Sequence, residues 1–253
     1  MAAATQTVTQ TAIVTGAAAG LGSQIARALH QAGFRVVVTD IDEADGAKTA
    51  SELDPGGETA FFAKLDVSNP QDFQTILSQT IDRWGSVEVM VNNAALTRAR
   101  PVLDIETDEF NAIMAVNAGG TFSGCRILGR YFKQRGYGRI INLASLAGQN
   151  GGTATGAHYA ASKGAILTLT KVFARDLGPF GVTVNAIAPG PMDTPQVRAI
   201  VSEAALPGLI AGIPVGQLGD AAFVAELVAF LASQRSAFVT GACWDVNGGL
   251  YMR

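Results

Sequence analysis

The chain has 253 residues, 48% of them hydrophobic, with 18 Lys and Arg against 21 Asp and Glu for a formal net charge of −3. That length and apolar content suffice for one large core, so a single domain over residues 1–253 is expected. No segment gathers a basic cluster, which argues against nucleic acid and anionic membranes as partners; Cys125 and Cys243, far apart in apolar sequence, argue against a disulfide framework or a C-x-x-C metal site.

The opening Met1-Ala2-Ala3-Ala4-Thr5-Gln6 has neither a basic region nor a long apolar run, and no later segment is polar-free over a membrane-spanning length. A cytoplasmic protein is expected. Thr11-Ala12-Ile13-Val14-Thr15 reads as a strand running into Gly16-Ala17-Ala18-Ala19-Gly20-Leu21-Gly22, and a helix follows with Ile25, Ala26 and Leu29 on one face. Strand, glycine loop and helix in that order make a dinucleotide site: glycines allow the turn and close backbone approach, and the helix N-terminus attracts pyrophosphate. The next strand, residues 35–40, ends in Asp40, whose carboxylate can accept hydrogen bonds from an adenosine ribose. A 2′-phosphate there would face like charge, with no Arg or Lys in the glycine loop and Ile41 next in sequence, so NAD is expected over NADP. Asp42, Glu43 and Asp45 read as a helix start, their charges near the positive end of its dipole.

Further apolar runs at residues 60–66, 87–92, 139–144, 183–188 and 243–246 alternate with helical periodicity. This rhythm predicts an α/β fold, a doubly wound, Rossmann-like parallel sheet of about seven strands. Gly16, Asp40, Asp66, Asn92, Ser145 and Pro189 all fall at or just after strand ends, which puts them on the carboxyl edge where such sheets bind ligands. Within a predicted helix from Gly156 to Leu177, Tyr159 and Lys163 share a face, so the ammonium can lie beside the phenol and lower its pKa. His158 points about 100° away and is read as structural or rim-lining, and His30 as a solvated helix end.

Together T-G-x-x-x-G-x-G, N-N-A-A, the serine at a strand end and Y-x-x-x-K resemble the short-chain dehydrogenase/reductase family over nearly the whole chain. The resemblance places the glycine motif on Thr15, Gly16, Gly20 and Gly22, with Ala19 and Leu21 between them. The acid at the adenine ring and its neighbour fall on Asp66 and Val67, and the strand-four motif on Asn92, Asn93 and Ala94. Pro189, Gly190 and Thr194 match the segment around the nicotinamide, and Val246-Asn247-Gly248-Gly249 a common C-terminal signature. Ala95 stands where the family usually has glycine, a methyl that narrows the cleft but removes no chemistry.

The implied catalytic tetrad is Asn117, Ser145, Tyr159 and Lys163. Tyr159 would be the general acid or base, Ser145 would hydrogen-bond the carbonyl oxygen, and Lys163 would stabilise the tyrosinate and reach the nicotinamide ribose. Asn117 is implied to hold a water of a proton relay, although Val116-Asn117-Ala118-Gly119-Gly120 also reads as a helix bend. No metal is expected. The segment from Pro191 to Gly216 resembles a mobile lid carrying Met192, Val197, Ile200, Val201, Leu206, Leu209, Ile210 and Ile213, with Arg198 its one basic residue. An uncharged small-molecule ketone or secondary alcohol is therefore the expected substrate.

A 3-oxoacyl-[acyl-carrier-protein] reductase is the alternative, because the lid length and the ending Val246 to Met252 are similar to that subgroup. Those reductases usually prefer NADPH and often place a basic residue where this chain has Phe180; Arg135 and Arg139 are a partial substitute. A non-catalytic dinucleotide sensor is a third reading, opposed by the complete tetrad. The long apolar helices Thr107 to Arg135 and Gly156 to Leu177 resemble those of the family's four-helix interfaces, so a homotetramer is expected.

Overall fold

The computed structural model describes residues 9–152, 155–194 and 204–253. Its strands are β1 (Thr11–Thr15), β2 (Arg35–Asp40), β3 (Ala60–Lys64), β4 (Val89–Asn92), β5 (Gly138–Leu143), β6 (Val182–Pro189) and β7 (Cys243–Val246). They form one sheet of 7 strands in the order β3-β2-β1-β4-β5-β6-β7, every pair parallel. The helices are α1 (Gly20–Gln31), α2 (Glu43–Leu53), α3 (Pro70–Trp84), α4 (Thr107–Met114), α5 (Gly120–Arg135), α6 (Ala147–Asn150), α7 (Ala157–Leu177), α8 (Leu206–Ala211) and α9 (Ala221–Ala232).

Because successive strand residues face opposite sides, β1 sends Ala12 and Val14 to one core layer and Ile13 to the other. The first layer joins them to Ile25 and Leu29 of α1, Ala50 of α2, and Val224, Val228 and Leu231 of α9. The second packs Ile13, Val37, Met90 and Ile140 against Phe73 of α3, Leu128 and Phe132 of α5, and Leu177 of α7. Burial on both faces is why the central strands read as continuous apolar runs rather than alternating ones.

The chain winds outward from β1 to β3, then returns to β4 on the other side of β1. That reversal opens a crevice beyond the carboxyl ends of β1 and β4, the place where an open parallel sheet binds ligands. Residues 107–135, expected as one helix, instead contain a π-helical turn at Ala115–Gly119 between α4 and α5. The Thr121 hydroxyl donates to the Asn117 carbonyl at 2.8 Å within this wider turn. The bend read around Asn117 is thus a π turn, a feature enriched at functional sites.

A polar ladder crosses the second layer: Asn92 Nδ2 donates to Asn142 Oδ1 at 2.8 Å, and Asn142 Nδ2 donates to Thr170 Oγ1 at 3.0 Å. Gly124 of α5 lies against it, and a Cβ there would sit 2.1 Å from Asn92 Oδ1 and 3.0 Å from Asn92 Cγ. Overpacking of this kind costs about 1–3 kcal/mol. Gly124→Ala is therefore expected to lower the urea midpoint with an unchanged m-value; an unshifted midpoint would show that the ladder yields freely.

Candidate active site

The glycine loop forms one wall of a cleft of about 540 Å³ lined by Gly16, Ala19, Gly20, Asp40, Asp66 and Asn93, among others. Gly16 and Gly20 adopt φ of +64° and +58°, a region that glycine occupies without strain. A Cβ on Gly16 would come within 2.7 Å of Ala94 Cα, and one on Gly22 within 2.0 Å of the Gly16 carbonyl oxygen. No side chain caps the first turn of α1, whose N-cap is Ala19, and no acidic residue lies in that turn. This leaves amide donors and the positive helix end directed at the cleft, which suits a pyrophosphate.

Asp40 ends β2 beneath this loop, its Oδ2 accepting from Ala18 N at 3.0 Å and its Oδ1 from Asp42 N at 3.1 Å. Ile41, Val67, Ala94 and Ala95 complete the wall with Leu21. Asp66 is exposed, its Oδ1 bonded to the amide and hydroxyl of Ser68 at 2.9 and 2.7 Å. The cleft's shape, uncapped helix and terminal carboxylate fit an adenine dinucleotide.

Asn92 departs from expectation. It is only 4% exposed, and its side chain turns into the ladder beneath α5 rather than into the cleft. Asn93 takes the cleft position instead. Its Nδ2 donates to the carbonyls of Thr15 and Gly16, each at 2.9 Å, while the Thr15 hydroxyl accepts from the amides of Asn93 and Ala94 at 3.0 and 3.1 Å. Strand alternation separates the two asparagines: neighbours on an extended backbone face opposite sides.

Past the cleft, Ser145 follows β5 and accepts from Ala147 N at 3.1 Å, while Tyr159 and Lys163 occupy the first turns of α7. The partly buried Tyr159 phenol faces the side chains of Ser145 and Thr97, both of which act to lower its pKa. Lys163, 3% exposed, donates from Nζ to the Leu143 carbonyl at 2.6 Å and lies 5.6 Å from the centroid of the Tyr159 ring. Asn117 is fully buried; its Oδ1 accepts from Leu96 N at 2.7 Å, and its Nδ2 reaches Leu96 O at 3.0 Å and Ser162 Oγ at 2.9 Å. Pro189 closes β6 beside the serine segment, its carbonyl accepting from Leu146 N at 2.9 Å, and Gly190 N donates to Val246 O at 2.8 Å. Thr194 N reaches the Met192 carbonyl at 3.0 Å. Val197, Arg198, Ile200 and Val201 of the expected lid lie outside the described residues.

The electrostatics correct one expectation. Burial raises the Tyr159 phenol above its ordinary value, against the lowering expected from Lys163, while Ser145 and Thr97 act the other way. Burial also pushes Lys163 down, to about 8, because its ammonium has exchanged water for one carbonyl. Thr97 carries no motif in the sequence, and only the path of the chain after β4 brings it to the phenol.

The family model described as enoyl-(acyl carrier protein) reductase matches residues 16–251. The chain is 37% identical over 241 residues to 3-oxoacyl-[acyl-carrier-protein] reductase FabG of Vibrio cholerae, covering 95% of this chain and 97% of that one. It is 35% identical over 249 residues to the short-chain reductase protein NovJ of Streptomyces niveus, with coverages of 94% and 92%. Among solved structures, a short chain dehydrogenase from Bacillus anthracis superposes with a TM-score of 0.86 at 28% identity, over 96% of this chain and 97% of that one.

Folded Lys163 gives up its proton near pH 8, whereas the unfolded side chain holds it to about 10.5. Between these values the unfolded chain binds more protons, so this residue's contribution to stability rises with pH by on the order of 3 kcal/mol. Unfolding of the ligand-free protein and of Lys163→Met, compared from pH 7.5 to 10.5, is expected to move in favour of the wild type as pH rises. A flat difference would show that the buried lysine titrates normally.

Proposed function

Because the chain belongs to the short-chain dehydrogenase/reductase family, we propose that it is an NAD(H)-dependent oxidoreductase acting on a ketone and its secondary alcohol. The observation that carries this reading is the Tyr159 phenol, facing Ser145, with Lys163 Nζ 5.6 Å from its ring, beside a dinucleotide-sized cleft. When bound, the nicotinamide supplies or accepts the hydride. A buried phenol with a raised pKa is protonated at neutral pH, which is the state needed to donate a proton to a carbonyl oxygen during reduction. Ser145 donates a hydrogen bond to the same oxygen as it gains negative charge. Lys163 offsets the charge left on the phenolate. Asn117 holds the π turn against Leu96 and Ser162, the residue before the lysine on α7.

Asp40 supports NAD(H) over NADP(H). Its carboxylate lines the cleft at the end of β2, where it can receive ribose hydroxyls, and Gly16 to Gly22 offer no cation to a 2′-phosphate. Within the described part of the lid, Pro191 to Thr194 and Ala204 to Gly216, there is no Lys or Arg, which supports an uncharged substrate. The exposed Phe110, Phe122 and Val172 on α4, α5 and α7 support a homotetramer.

The Vibrio cholerae relative favours a second reading, a 3-oxoacyl-[acyl-carrier-protein] reductase. One half of the basic substitute considered for it does not reach the surface: Arg139 is 3% exposed and donates to the carbonyls of Gly138, Gly181 and Ser233. Arg135 remains exposed at the end of α5, and Lys133 stands 4.1 Å from the centroid of Phe180.

Initial rates with NADH and NADPH against aryl, aliphatic and cyclic ketones and an acetoacetyl thioester separate the two. NADH-dependent ketone reduction is expected; NADPH-dependent thioester reduction would select the second reading. Tyr159→Phe is expected to lose about 10²–10⁴-fold in kcat while still binding NADH, and normal turnover would refute its role. Asp40→Asn keeps an acceptor for Ala18 N but removes the charge. It is expected to raise kcat/KM with NADPH relative to NADH about tenfold or more, and an unchanged ratio would refute the role of Asp40.

A further inference from the structure

We propose that His158 is a positioning residue for Tyr159, and that Glu109 holds the imidazole in the tautomer that does the positioning. This rests on the reading of Tyr159 as the general acid. The start of α7 has an unusual arrangement. Its N-cap is Gly156, which has no side chain to receive the free amides of the first turn. His158 supplies a side-chain acceptor there: its Nδ1 accepts from the backbone amide of Tyr159 at 2.8 Å, an amide that also reaches the Gly156 carbonyl at 3.1 Å.

A ring nitrogen that accepts an amide proton carries none of its own, so in the neutral ring the proton sits on Nε2. Nε2 lies 3.0 Å from Glu109 Oε1, and an ionised carboxylate can only accept. The two contacts therefore specify the same tautomer. Glu109, 12% exposed on α4, also meets Arg100 Nε at 3.1 Å and Arg98 Nη1 at 3.7 Å. Its bond with His158, helped by these arginines, holds its carboxyl below the usual carboxylate range, which keeps the acceptor charged at neutral pH.

The same carboxylate organises the far side of the tyrosine. Arg98 O accepts from Gly156 N at 3.2 Å, and Thr97, next to Arg98, faces the Tyr159 phenol and acts to lower its pKa. Tyr159 is thus held at its amide by His158 together with the Gly156 carbonyl, and Glu109 touches both His158 and Arg98, whose carbonyl receives the Gly156 amide. The space confirms how closely the ring is seated. It is fully buried, and a Cβ on Gly156 would approach His158 Cε1 to 2.3 Å and Nδ1 to 2.7 Å. Reactions of this kind are sensitive to such placement, since a displacement of about 1 Å at a reacting group costs on the order of 10²-fold in rate. A histidine that only capped the helix would alter stability and leave kcat alone.

The test compares wild type with His158→Ala, His158→Asn, Gly156→Ala and Tyr159→Phe, measuring kcat and KM on the best ketone, NADH affinity by fluorescence, and Tm. His158→Ala is expected to lower kcat about tenfold or more with NADH affinity unchanged. His158→Asn is expected to recover most of that loss, because Asn Oδ1 stands where Nδ1 was and receives the Tyr159 amide. Gly156→Ala is expected to reproduce the kcat loss with His158 intact, and it carries the test with the asparagine variant if His158→Ala does not fold. A kcat within twofold of wild type in His158→Ala or Gly156→Ala, or an asparagine variant no better than alanine, would overturn the proposal. Turnover in Tyr159→Phe would instead overturn the reading of the tyrosine, so the two failures are distinguishable.

Discussion

The site depends on how β1 and β4 are pinned where the sheet changes direction. Parallel strands have no hairpin to hold their ends, so their carboxyl ends need other fastenings if a crevice between them is to keep its shape. Thr15 and Asn93 provide these: one hydroxyl accepts the amides of Asn93 and Ala94, and one carboxamide donates to the carbonyls of Thr15 and Gly16. With Gly16 fixed, its carbonyl packs against Gly22, and the start of α1 is brought over the cleft. Asp40 then ties the loop from the other side through Ala18 N. These bonds run within the protein itself, and a loop held by its own contacts lowers the ordering cost of binding.

The second half of the site works by burial, and burial acts oppositely on its two titrating groups. It raises Tyr159 and lowers Lys163, so both are driven toward their neutral forms. A neutral phenol is an acid ready to donate; a lysine brought down to about 8 retains most of its charge at neutral pH but holds it at a cost. The Leu143 carbonyl is its one hydrogen-bond partner among the described residues, where an exposed ammonium would have several waters. Stability given up at Lys163 is thus tied to the electrostatics proposed for Tyr159.

Much of this was legible in the sequence because the signals are local. Strands buried on both faces are apolar runs, and β1, β2 and β7 lie at the expected residues. The glycines at 16, 20 and 22 announce a backbone that admits no Cβ. What was not legible depends on side-chain direction and on contacts between distant segments. Asn92 and Asn93 are indistinguishable as letters, and only the register of β4 sends one into the core and the other to the cleft. Arg139 reads as a surface cation, yet its place at the start of β5, beside the Gly181 turn, buries it against carbonyls. Thr97 comes to Tyr159 from the loop after β4 and Glu109 to His158 from α4, contacts between distant segments that no periodicity encodes.

Cofactor preference and overall similarity report on different length scales. Identity of 37% to an acyl-carrier-protein reductase over 95% of the chain reflects a shared sheet, core and crevice, built from residues spread over the whole domain. Discrimination between NAD(H) and NADP(H) reduces to the charge within a few ångströms of one ribose hydroxyl, because water and salt screen more distant charges. In the reading proposed above that charge is Asp40, which lines the cleft with Ile41 beside it and bonds the Ala18 amide of the loop. Overall similarity to a relative therefore does not decide cofactor preference, which the proposed reading assigns to one carboxylate. The same logic extends to the surface around Phe180, where an aromatic ring under Lys133 replaces an expected cation and changes local charge without disturbing the fold beneath it.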